Sequence, residues 1–105
     1  MSYEELDPKE FIEAYKNTEN TSILLDVRTA AEIEEASIDG HIAIDIMQPR
    51  FTEKVGLLDK NNAYFIYCRS GNRSGQACRY METQGFTKLY NLRGGMLAWS
   101  DTDFE

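Results

Sequence analysis

Nine consecutive residues, Tyr67 to Gly75 (YCRSGNRSG), hold one thiol, two guanidiniums and two glycines. The thiolate is the reactive form of cysteine. Neighbouring arginines and free backbone amides favour that form, so Cys68 is expected to ionise below the free-thiol value of about 8.5. Arg69 and Arg73 keep their charge at any useful pH. Gly71 permits the positive φ that folds successive amides into an anion-binding nest, and Gly75 permits close approach of the backbone. Buried cysteine is common as inert filler. Packing, however, gives no reason to put Arg-x-Gly-x-Arg directly after a thiol, whereas anion chemistry gives a reason for each residue. An ionised nucleophile and an anionic substrate would meet in one cradle of positive potential.

Such a loop needs elements on both sides. Upstream, Ala63 to Cys68 (AYFIYC) is apolar and aromatic, the pattern of a central strand ending at the thiol. Downstream, SGQACRYMETQ places Ala77, Tyr80, Met81 and Gln84 on neighbouring helical turns, with Gly85 at the C′ position. A strand that runs through a loop into a helix puts Cys68 at the carboxyl edge of a sheet, where α/β folds bind ligands. The free amides of the helix start face the same point.

The rest of the chain alternates in the same way. Asp7-Pro8 caps a helix over 8–17, SILLDV (22–27) reads as a strand buried on both faces, and Thr29 with Glu32 forms a capping box. IAIDI (42–46) is a second short strand, RFTEKVGLL a short helix broken at Gly56, TKLYNL a further strand and GGMLAW a last helical turn. Strands alternating with helices over 105 residues predict one domain spanning 1–105, an α/β fold with a mainly parallel sheet and helices on both faces.

Composition narrows the partners. Eleven basic and eighteen acidic residues leave a net charge of −7, which argues against nucleic acid and anionic membrane surfaces. No apolar run approaches the roughly 18 residues of a membrane span, and MSYEELDPKEF lacks the pattern of a signal peptide, so a cytoplasmic location is expected. Cys68 and Cys78 are read as free thiols in that reducing setting. With one histidine and no CxxC pair, the usual zinc ligand sets are not available.

YCRSGNRS, the alanine-containing helix after it, GF and LYNLRGGMLAW together resemble the single-domain sulfurtransferases of the rhodanese homology family, and LLDVRTAAEI is similar to that family's strand-Asp-x-Arg segment. The resemblance runs from about residue 2 to residue 99. Counting without a gap from Glu32 sets Ala36 to His41 on the family's Gly-His-Ile-Pro-Gly-Ala stretch, with Ser37 and Asp39 in place of the common histidine and proline. His41 is accordingly given no catalytic role. The resemblance implies a rhodanese-like sheet of about five strands and a loop opened by Cys68. The cysteine would attack the sulfane sulfur of a small anionic donor such as thiosulfate and hold it as a persulfide. A thiophilic acceptor then removes it: cyanide in the test tube, a thiol or a protein in the cell. It implies no metal and no organic cofactor. Arg69, Ser70, Gly71, Asn72 and Arg73 are the expected substrate-binding residues, the two arginines drawing in the donor and the loop amides holding the transferred sulfur.

Two rivals follow from the same residues. Cysteine-dependent phosphatases and arsenate reductases carry Cys-x5-Arg, and the loop here is Cys68-x4-Arg73, one residue tighter and better matched to a sulfur atom than to a phosphoryl group. A non-catalytic interaction module is the other, since a fold does not by itself prove turnover. Elsewhere, Asp26 and Arg28 are read as loop anchors and Cys78 as a small, half-buried side chain. Gly94 and Gly95 are expected to border the mouth of the site, and Glu32 to Glu35 to form a solvated helix face.

Overall fold

In the computed structural model, which describes residues 3–18 and 21–104, ten elements alternate along the chain. They are β1 (Tyr3–Leu6), α1 (Pro8–Asn17), β2 (Ser22–Asp26), α2 (Ala30–Glu35), β3 (Ile42–Ala43), α3 (Phe51–Gly56), β4 (Ala63–Tyr67), α4 (Asn72–Thr83), β5 (Leu89–Leu92) and α5 (Gly95–Ser100). Local chemistry sets the helix starts. The Asp7 carboxylate accepts from the Glu10 amide and the Glu10 carboxylate accepts from the Asp7 amide, both at 3.0 Å. Thr29 and Glu32 make the second such box at the head of α2. Each satisfies donors that a helix start otherwise leaves unpaired.

The five strands form one all-parallel sheet in the order β1-β5-β4-β2-β3, an α/β architecture with β4 at its centre. Side chains along β4 alternate between two cores. Ala63, Phe65 and Tyr67 join Phe11 of α1 and Met96 of α5 on one face. Tyr64, Ile66 and then Cys68 join Phe51 and Val55 of α3 and Ala77, Cys78 and Met81 of α4 on the other. Phe65 anchors the first core, stacked on Tyr90 at 4.5 Å and meeting Phe11 and Tyr15 edge-on. The period-two alternation therefore aims the Cys68 side chain at the head of α4. Among the described residues, no helix is long and apolar enough to cross a membrane.

Two elements differ from expectation. The strand foreseen over 42–46 ends at Ala43, because Asp45 turns the chain: its carboxylate accepts from the Met47 amide at 2.8 Å and its carbonyl from the Gln48 amide at 3.1 Å. Ile44 and Ile46 still donate to Asp26 and Val27, so the segment runs beside the end of β2 without forming a regular ladder. The other is β1, whose Glu4 and Glu5 hide it from a search for apolar runs. Among the described residues it is an edge strand paired with β5 alone.

Candidate active site

Cys68 lies just past the end of β4, with none of its surface exposed. Three donors converge on its sulfur: the Gly71 amide at 3.1 Å, the Ser74 amide at 3.3 Å and the Ser74 hydroxyl at 3.3 Å. Gly71 makes the first possible by adopting φ +96°, a left-handed conformation that a side chain would strain. Ser74 is the third residue of α4, where a helix has no carbonyl for its amide, and that free N–H is spent on the sulfur. Donors aimed at one atom in the interior stabilise negative charge that resides or develops there.

The loop is clamped from behind by α5. The Met96 amide donates to the Cys68 carbonyl at 2.9 Å and the Leu97 amide to the Arg69 carbonyl at 3.0 Å. These are again first-turn amides without partners in their own helix. The close approach leaves no room for a side chain at Gly95, where an added Cβ would press on the carbonyls of Cys68 and Arg69. Gly94 and Gly95 thus border the site, packed against the backbone of Gly71, Cys68 and Arg69. Gly75 does not act as expected. A Cβ there would make only ordinary contacts, the nearest being Asn91 Nδ2 at 3.5 Å, so no tight backbone approach requires that glycine.

The two loop arginines have different surroundings. Arg73 is locked to Glu32 by two parallel hydrogen bonds of 2.8 and 2.7 Å, a fork-on-fork pair. Hydrogen bonding from Arg73 holds the Glu32 carboxyl down at about 2, against an ordinary value of 4.5, despite its partial burial. Glu32 therefore does not belong to a solvated helix face: it caps α2 and grips the cysteine loop at once. Arg69 is exposed and lines a cavity of about 140 Å³ with Glu32, Glu35, Ala36 and Leu97 among its walls. Ser70 and Asn72 lie exposed on the outside of the loop, and their amides are not among the donors to the sulfur.

Asp26 and Arg28 anchor the neighbouring loops. Arg28 Nη2 meets Asp26 at 2.8 Å with both side chains buried, and the same guanidinium donates to the carbonyls of Glu32 and Ala36. It stands 5.5 Å over the Tyr67 ring. Burial keeps the Tyr67 phenol protonated far above its usual range, and its oxygen accepts from the Ile38 amide at 3.1 Å. His41 Nδ1 lies 2.9 Å from the Ile38 carbonyl, a loop contact away from the sulfur's donors. Cys78 is fully buried rather than half-buried, and burial pushes its thiol well above the ordinary value.

Ser74, Glu32 and Asn91 are the residues that sequence reasoning left out of the site. Ser74 was within reach of it, since the first three amides of any helix are free. The Arg73 partner of Glu32 is 41 residues away, and no local pattern marks it. Asn91 donates to the Gly71 carbonyl at 3.1 Å from inside β5, where its only mark is a polar residue in an apolar strand.

Comparison with known proteins places the family and the fold. A family model described as Rhodanese-like domain matches residues 7–102. A sulfurtransferase of Allochromatium vinosum is 36% identical over 96 residues, covering 91% of this chain and 87% of that protein. The putative sulfurtransferase YtwF of Bacillus subtilis is 43% identical over 76 residues, 72% of this chain and 71% of its own. Among solved structures, a rhodanese-related protein from Thermoplasma volcanium superposes with a TM-score of 0.79 at 24% identity, covering 98% of this chain and 96% of that one, a likeness of fold.

Proposed function

The chain belongs to the rhodanese-like family, whose relatives here are named for sulfur transfer, and from that premise we propose that it carries sulfane sulfur as a persulfide on Cys68. The observation that supports this most is the trio of donors on Sγ, which an inert buried thiol does not require. In the first step the Cys68 thiolate attacks the outer sulfur of a small anionic donor such as thiosulfate. The sulfur–sulfur bond of the donor breaks and its electron pair leaves with sulfite. In the second, a thiol, a protein thiol or cyanide attacks the outer sulfur of the persulfide, and the pair of that bond returns to Cys68. Two displacements replace one difficult transfer. Between them, the amides of Gly71 and Ser74 and the Ser74 hydroxyl hold charge on the sulfur pair.

Within this reading Arg69 is the cation that meets the donor, while Arg73, matched by Glu32, shapes the loop. The sulfur has no exposed surface in this arrangement of the loop. The test is sulfur loading: after thiosulfate without reductant, the Cys68 peptide is expected to gain about 32 Da, and Cys68→Ser to gain nothing and to lose thiocyanate formation from cyanide. An unmodified Cys68 under those conditions would favour the interaction-module reading over the enzyme.

A further inference from the structure

Asn91 is 1% exposed, and its Oδ1 is, among the described residues, the buried side-chain oxygen without a hydrogen-bond partner. Its Nδ2 is the opposite case. It lies 2.9 and 3.1 Å from the two Glu5 carboxylate oxygens and 3.1 Å from the Gly71 carbonyl. Turning the amide over would aim an oxygen at three acceptors, so the orientation is settled by its surroundings. A buried amide oxygen without a partner is unfavourable, and an apolar side chain would suit the interior of β5 better. The reason for asparagine must therefore lie with the nitrogen, whose two hydrogens serve one acceptor group each.

The Gly71 carbonyl accepts from Asn91 and, at 3.0 Å, from the Gly75 amide that opens α4. It is held from two sides. On the other side of the same Cα, the Gly71 N–H points at Cys68 Sγ from 3.1 Å. Glycine has no side chain to bias its dihedrals, so φ and ψ at Gly71 are restricted by the hydrogen bonds at its two ends together. Loosening the carbonyl end frees the N–H end to swing off the sulfur. We propose that Asn91 is a positioning residue for the sulfur cradle, oriented by Glu5 and acting through the Gly71 carbonyl to keep the Gly71 N–H on Cys68. The proposal rests on reading Cys68 as the sulfur-carrying residue. It also gives β1 a task beyond pairing, because Glu5 ties the sheet edge to the loop.

Asn91→Leu removes the donor and the unpaired oxygen while filling similar space. A residue that merely supports the fold would lose melting temperature and reactivity together. Here the melting temperature is expected to hold or rise, while alkylation of Cys68 by iodoacetamide and sulfur loading from thiosulfate each slow roughly ten-fold, with donor KM changed by less than about two-fold. The Gly71 amide proton is expected to move upfield in nitrogen-15 correlation spectra as its bond to sulfur lengthens. Wild-type rates, or an unmoved Gly71 resonance, would overturn the proposal. Should Asn91→Leu not fold, Glu5→Ala at the exposed strand edge serves: a smaller loss of alkylation rate, about three-fold, with the same resonance shift supports the role, and no change overturns it. The resonance reports geometry even if wild-type Cys68 takes up no sulfur, so failure of the sulfurtransferase reading is distinguishable from failure of this one.

Discussion

Glu32 does two jobs with one carboxylate. Its Oε1 accepts from the Thr29 amide and hydroxyl at 3.1 Å, and its two oxygens accept from Arg73 at 2.8 and 2.7 Å. Because Arg73 holds its carboxyl at about 2 rather than 4.5, the stabilisation is complete above 4.5 and is lost as pH falls from there through about 2. Glutamine still suits the third position of a capping box. Glu32→Gln is therefore expected to cost roughly 1–2 kcal/mol at about pH 7, a value already reduced for partial exposure of the pair. The gap in melting temperature between wild type and variant should stay constant down to about pH 5 and then close through the lower window. A gap as wide at about pH 2.5 as at neutral pH would place its origin elsewhere. Cys78 offers the contrasting case, a buried thiol that burial keeps protonated and that no step uses. Cys78→Ala is expected to load sulfur on Cys68 as the wild type does, losing only about 1 kcal/mol of stability, checked by peptide mass and thermal melting.

The hinge between elements is where α5 backs the cysteine loop. Gly95 has φ +58°, and a Cβ there would come within about 2.5 Å of the Cys68 carbonyl oxygen, a backbone atom that cannot step aside cheaply. Gly95→Ala should push the loop off the Met96 and Leu97 amides, lowering stability by roughly 2–3 kcal/mol and sulfur loading more than ten-fold. Near-normal loading in a stable variant would mean that the clamp does not set the loop. Most elements were legible because their signals are local. Capping residues at Asp7 and Thr29, the apolar run before Cys68 and the glycine at the C′ position after α4 each depend on neighbours within a turn. β1 was not, since Glu4 and Glu5 are affordable only at an edge, and edge status is a property of the assembled sheet. The cysteine loop was legible for the same reason as the caps. Its second layer was not: Glu32 with Arg73 and Glu5 with Asn91 meet across 41 and 86 residues, pairings that only the parallel topology brings about.

At the scale of the whole molecule, a cradle that collects positive partial charge sits in a chain of net charge −7. The two fields have different reach. The molecule extends 37 by 30 by 24 Å, so at about 0.01 M salt, with a Debye length of about 30 Å, an approaching dianion feels the entire negative surface. At about 0.15 M the length is about 8 Å, and the dianion feels little beyond the rim, where Arg69 stands exposed and Arg73 is already matched by Glu32. Raising salt over that range should therefore remove more repulsion than attraction. For thiosulfate, kcat/KM is expected to rise roughly two- to ten-fold, the order of magnitude that a few partly screened charges at these distances produce. A sulfane-sulfur donor without ionisable groups, such as a dialkyl trisulfide, should show almost no change, which separates field effects from salt effects on the fold. With Arg69→Ala the rise should be at least as large, because less local attraction remains to be screened. A steady fall in thiosulfate kcat/KM with salt would instead mean that local cations dominate at every distance, and that Arg73 stays available to the donor despite its pairing.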